Sequence, residues 1–156
     1  MRNKKLSAFS KIMLFLSGIL LIGAIFFPIW RIELTAPQYP EGLVLKLHPS
    51  KIAGDVDIIN GLNHYIGMKT LHTEDFIEFK VLPFILAGLG VVSIICAFKA
   101  KRKALFIFFF SFVLFGILSA CDFYRWNYEY GHNLDPNAAI RVPGMAYQPP
   151  MLGYKQ

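Results

Sequence analysis

Three uncharged apolar runs divide the charges of this chain so unevenly that a membrane-spanning fold is the arrangement it favours. The runs cover residues 12–30, 81–98 and 104–121 and are 19, 18 and 18 residues long. As helices rising ~1.5 Å per residue, each is about long enough to cross a hydrocarbon core of ~30 Å. Arg2, Lys4, Lys5 and Lys11 precede the first run, and Lys99, Lys101, Arg102 and Lys103 crowd the link between the second and third. These two segments hold eight bases and no acid. All ten acids fall in residues 31–80 and 122–156, where eight bases leave a balance of −2, and the two balances give the net +6. Lys and Arg close to span ends mark the cytoplasmic side. The reading is therefore an N-terminus inside, a basic cytoplasmic link at 99–103, and two larger pieces outside.

The positive net charge does not point to nucleic acid. It sits in short clusters beside the apolar runs, which set orientation and attract anionic lipid, whereas a nucleic-acid reader needs a basic face on a folded domain. Nor does the first run resemble a cleaved signal. It is longer than the usual ~7–15-residue apolar region and ends in Phe26, Phe27, Pro28, Ile29 and Trp30, where a peptidase needs small residues. It is expected to stay as an anchor, with Trp30 at the outer interface. The two cysteines, Cys96 and Cys121, fall at opposite ends of their spans. They are roughly 25–30 Å apart by helix rise and beyond disulfide reach, so they are expected to be unpaired.

Residues 31–35 alternate polar and apolar side chains, Pro37, Pro40 and Gly42 mark a turn, and Leu43, Leu45 and Leu47 share one side of a second extended stretch. This spacing predicts a hairpin. A helix is predicted over residues 58–71, carried by Ile58, Ile59, Leu62, Tyr65 and Ile66, capped by Asp55 or Asp57 and weakened by Gly61 and Gly67. Thr73, followed by Glu74 and Asp75, is read as the cap of a helix continuing into the second run, with a kink at Pro83. The phenylalanines of the third run surround the helix and read as lipid-facing, and Gly116 with Ser119 offers a small packing face. Residues 122–130 are rich in Tyr and Trp, as an interface belt would be. Asp122 is expected to pair with Arg125. The remaining tail, with Ile140, Val142, Met145, Tyr147, Met151 and Leu152 among prolines and glycines, reads as an extended strap. Neither outer piece is long enough for a comfortable core of its own, so the two are expected to pack together.

No Asp, Glu, Lys, Arg or His lies inside any run, which argues against a pump, a channel or a voltage sensor and against a haem subunit. No G-x-S-x-G, H-E-x-x-H, C-x-x-C or Walker pattern is present. The side chains best suited to other chemistry are histidines and methionines. His64, Met68 and His72 stand at i, i+4, i+8, so on a helix they would be turned by only ~40° from one to the next. Imidazole and thioether together suit copper, Cu(I) above all. The plainer alternative leaves the two histidines as polar-edge residues at the membrane surface and Met68 as packing. His132, Met145 and Met151 form a second-choice ligand set from the tail.

Residues 36–43 (Ala-Pro-Gln-Tyr-Pro-Glu-Gly-Leu) and 55–68 (Asp-Val-Asp-Ile-Ile-Asn-Gly-Leu-Asn-His-Tyr-Ile-Gly-Met) resemble segments of a small bacterial multi-pass membrane-protein family. Its genes lie with those for maturation of the copper enzyme nitrous-oxide reductase. The resemblance implies a setting, the cytoplasmic membrane facing a compartment where copper is delivered, and supplies no catalytic residues.

The expected fold class is thus an all-α membrane protein of three transmembrane helices with a small extracytoplasmic α+β module. Residues 1–30 form the cytoplasmic N-terminus and first span, 31–80 the outer loop, 81–121 the second and third spans, and 122–156 the outer tail. The expected role is a non-enzymatic accessory protein of the bacterial cytoplasmic membrane that meets the lipid bilayer and other membrane or extracytoplasmic proteins, but no nucleic acid, and that handles copper during metalloenzyme maturation. The alternative is a structural subunit of a transporter or respiratory complex.

Overall fold

A computed structural model describes residues 6–36 and 38–140. The chain is mostly helical, and three of its helices are long and apolar enough to cross a membrane. The first, α1 (Ala8–Gly23), is capped by the Ser7 hydroxyl, which accepts from the Ser10 N–H at 3.1 Å, and runs into a single 3-10 turn, Ala24–Phe26. The other two are α3 (Ile77–Lys99) and α4 (Arg102–His132). Ala100 turns the chain between them in a left-handed conformation (φ 49°). Helix α1 lies against α3 through two glycines. A β-carbon on Gly18 would come within 2.7 Å of the Gly90 carbonyl oxygen, and one on Gly90 within 2.8 Å of the Gly18 oxygen. Buried Ser93 completes the seam by donating its hydroxyl to the Leu14 carbonyl at 2.8 Å. Small residues permit this approach where lipid offers no hydrophobic drive to association.

A cap of mixed structure stands at the other end of the helices from the Ala100 turn. Strands β1 (Trp30–Ala36), β2 (Tyr39–His48) and β3 (Lys51–Gly54) form an antiparallel sheet in that order, with Ile32 opposite Leu45 and Leu47 opposite Ile52. Leu43, Leu45 and Leu47 are all buried on one face, as period-2 alternation requires. Helix α2 (Val56–Ile66) packs on that face. The core there joins Ile32, Leu43 and Leu45 to Ile59, Met68, Leu71 and, from α4, Tyr130.

Several elements depart from the sequence reading. Trp30 opens β1 instead of ending a span, because its backbone is drawn into pairing with Leu47. Strand β3 was absent from that reading; its four residues are too few to show alternation, and pairing with β2 creates it. Asp55 precedes α2 but makes no capping bond there. Its carboxylate accepts the Val44 N–H at 2.8 Å, and its own N–H donates to the Val44 carbonyl at 2.8 Å, closing the end of the sheet. Helix α2 ends at Ile66 and not at residue 71, since Gly67 adopts a left-handed conformation (φ 78°) that terminates it. The Thr73 hydroxyl, read as a helix cap, instead accepts the Ile52 N–H at 3.2 Å. It begins a 3-10 turn, Thr73–Asp75, ahead of α3.

The largest departure concerns residues 122–132, which continue α4. At ~1.5 Å per residue its 31 residues span ~46 Å, about 16 Å more than a hydrocarbon core. The surplus carries Trp126 and Tyr130 into the cap. They pack on each other at 4.6 Å and on Phe76 at 5.7 and 6.0 Å, Tyr130 in the cap core and Trp126 half-buried against it, while Tyr124 and Tyr128 of the expected belt stay exposed. Lys69 pairs with Glu129 across the same junction. The first part of the strap folds back over the end of α2, with the Asp135 N–H on the Gly67 carbonyl at 2.8 Å and the Ile140 N–H on the Tyr65 carbonyl at 2.9 Å.

One side chain holds the loop after α2. Asn60 accepts the Leu71 N–H at 2.6 Å and donates to the Leu71 carbonyl at 3.0 Å, serving both backbone groups of a buried residue. Asn60→Ala leaves the pair unsatisfied and is expected to cost the cap about 2 kcal/mol, measured as a lower midpoint of denaturant unfolding.

Candidate functional site

Near the Ala100 turn α3 and α4 are close: Phe108 packs with Cys96 and Ala97, and the Cys96 thiol lies 3.6 Å from the Ala104 carbonyl. Toward the cap the two helices bound a cavity of about 500 Å³. Leu45, Leu47 and Ile52 of the sheet roof it, Leu82 and Ile85 line it from α3, and Phe115, Leu118 and Trp126 from α4. The exposed lining residues Val81, Ile85 and Leu118 place its opening between the helices. Its volume falls within the ~300–1,000 Å³ typical of small-molecule sites.

Charge is confined to the rim. Glu78 and Asp122 border the cavity, and Arg125 bridges them, with one guanidinium nitrogen 2.7 Å from the Asp122 carboxylate and 3.4 Å from that of Glu78. The Asp122–Arg125 pair follows from their i, i+3 spacing. Glu78 arrives from another helix, so local spacing could not reveal it. The three formal charges leave the rim at −1.

The helix of Phe side chains is divided by this geometry. Phe108 is buried near the turn, Phe115 lines the cavity, and Phe106, Phe109, Phe110 and Phe112 are exposed. Gly116 has open space around it, while Ser119 faces the cavity, so the pair is no packing face between helices of this chain. That role belongs to Gly18 and Gly90, whose only sequence signal is a small residue in each of two apolar runs.

The predicted metal ligands lie in different surroundings. His64 sits in the last turn of α2, exposed, with its ring edge toward Tyr65. Met68 is 5% exposed and belongs to the cap core. His72 is exposed on extended backbone. The single helical edge expected of these residues does not form, because α2 ends before Met68. His132 stacks on Tyr128 at 4.2 Å with Nδ1 3.0 Å from the Tyr128 carbonyl oxygen. Met145 and Met151 lie outside the described residues. Among the described residues no three His, Cys, Asp or Glu side chains are grouped to hold a metal ion. Both cysteines are free, Cys96 buried and Cys121 exposed.

No protein-family model, curated protein or solved structure matches this chain. What it does has to follow from its own geometry.

Proposed function

We propose that the chain is a non-enzymatic accessory protein of the bacterial cytoplasmic membrane. It has its N-terminus inside and its cap on the extracytoplasmic side, and it docks a membrane partner along α4. The division of charge supports the orientation. The observation that carries the docking role is an unbroken exposed stripe on α4: Phe109, Val113, Ile117, Ala120, Tyr124 and Tyr128. At ~100° per residue these share one side of the helix, opposite Leu118, Asp122 and Trp126 at the cavity. The stripe runs past the apolar run ending at Cys121, and Tyr124 and Tyr128 remain 73% and 57% exposed. Lipid covers only the lower part of such a stripe. A partner protein covers all of it, and Tyr is favoured in such contacts. In this reading the exposed His64 and His72 are the residues that meet any copper in transit. Met68 leaves that set, because ligation would withdraw it from the core.

Two measurements on whole cells test the reading. With Cys96 and Cys121 replaced by serine, cysteines placed at exposed Lys51, near Asp55, and at Asn137 should react with an impermeant thiol reagent from outside, and one at Lys101 should not. Photoreactive residues at Ile117 and Tyr124 should capture the same discrete protein, whereas one at Phe84, exposed on α3, should capture lipid. Labelling of position 101 from outside, or lipid adducts alone at Tyr124, defeats it.

A further inference from the structure

The cavity lies on the side of α4 away from the docking stripe, and it joins two chemistries that a single class of molecule also joins. Its walls are apolar and continuous with α3 and α4, so its opening between the helices faces acyl chains in a bilayer. Its rim is a carboxylate–guanidinium–carboxylate row. We propose that the cavity holds one phospholipid with an ethanolamine headgroup, its acyl chain lying between α3 and α4 under the sheet. The ammonium sits at Glu78 and Asp122 and the phosphate at Arg125. The proposal rests on the membrane-spanning reading above.

Charge complementarity selects the headgroup. The rim carries −1, and Arg125 keeps 71% of its side chain exposed while paired to both acids, so a phosphate oxygen can reach the guanidinium. An ethanolamine headgroup brings an ammonium with three N–H donors to the two carboxylates and its phosphate to the arginine, so each rim group gains a partner of opposite charge and the net charge stays at −1. A glycerol headgroup brings the phosphate alone and adds a negative charge beside Glu78 and Asp122. A choline headgroup brings a cation with no N–H to donate. Below the rim, Leu82, Ile85, Phe115 and Leu118 offer what a hydrocarbon chain requires and no polar group needing a partner.

Trp126, on the cavity wall, serves as the reporter. The chain has two tryptophans, and Trp30→Phe leaves Trp126 as the sole one while keeping an aromatic ring against Phe123. The full-length chain is reconstituted in phosphatidylcholine vesicles carrying equal fractions of phosphatidylethanolamine or phosphatidylglycerol with brominated acyl chains, which quench indole emission on contact. The ethanolamine lipid should reach half-quenching at a fraction about threefold lower, since half-exposed ion pairs contribute only modestly. Glu78→Gln with Asp122→Asn should abolish that preference, and Ser119→Phe, which fills the cavity from α4, should suppress quenching by both lipids. Unchanged Trp126 emission without bromine shows that each variant keeps its cap. Equal quenching of the parent chain by both lipids, a preference that survives the Gln/Asn change, or no quenching overturns the site. Release of the chain from the vesicles by an alkaline wash overturns the membrane reading, and the site with it. Inserted chain with equal quenching overturns the site alone.

Discussion

Gly54→Ala is expected to unfold the cap while leaving α1 and α3 paired. Gly54 ends β3 with φ at 98°, a left-handed conformation that costs any other residue. A methyl group there would overlap the Val44 carbonyl oxygen and stand 3.0 Å from the Val44 carbonyl carbon. Neither atom can yield alone, because the same carbonyl accepts the Asp55 N–H and the Val44 N–H is held by the Asp55 carboxylate. Val44 is flanked by Leu43 and Leu45, which are 2% and 1% exposed at the centre of the core. Relief of the clash therefore moves β2 and the residues that α2 packs against. Strain and lost packing together are expected to remove on the order of 3 kcal/mol or more, read as loss of amide-exchange protection at Leu45. Gly61→Ala is the matched control. Gly61 lies in α2 with nothing near its missing β-carbon, and alanine there should stabilise by about 0.5–1 kcal/mol.

The second large effect lies between the helices. In Gly90→Leu the new β-carbon would meet the Gly18 carbonyl oxygen at 2.8 Å and Ile22 Cγ1 at 2.7 Å. The Ile22 side chain can turn aside, but the Gly18 oxygen belongs to the backbone of α1, so the helices must separate. Separation also breaks the buried Ser93–Leu14 hydrogen bond. Overpacking of this kind costs about 1–3 kcal/mol. The expected result is a lower unfolding midpoint in mixed detergent and loss of cross-linking between cysteines placed at Leu14 and Ser93. Gly88→Leu, on the same helix with open space around it, should change neither. Equal effects at the two glycines would mean that the seam contributes nothing.

Legibility in the sequence follows the range of the forces involved. The hairpin was readable because the alternation of Leu43, Leu45 and Leu47 is local, and the existence of α2 because its apolar residues recur within two turns. Helix α2 ends five residues before the predicted residue 71, since Gly67, a weak helix former by propensity, acts as a left-handed stop. Residues 135–138 then pack so closely on it that a β-carbon would come within 3.0 Å of the Asp135 carbonyl. The candidate site was less legible. Asp122 and Arg125 could be paired by spacing, but Glu78 and the sheet residues reach the cavity from segments 44 or more positions before Asp122. A shared edge for His64, Met68 and His72 requires one continuous helix, whereas the chain turns at Gly67 and carries Met68 into the core.

By itself the sequence determined three helices long and apolar enough to cross a membrane, the confinement of every acid to residues 31–80 and 122–156 with acid-free basic clusters in the other two polar segments, and the alternation that builds the first two strands. Each follows from properties summed along a contiguous stretch: length, hydropathy, charge and period. Only the tertiary structure decided that α4 extends into the cap, that Tyr130 enters the cap core with Trp126 packed against it, that Gly18 meets Gly90, and that α3 and α4 enclose a cavity beneath the sheet. An aromatic side chain lowers its free energy equally by entering lipid, a partner or a core. Which of these it enters depends on what the rest of the chain brings within reach, and that choice is made by packing between distant segments.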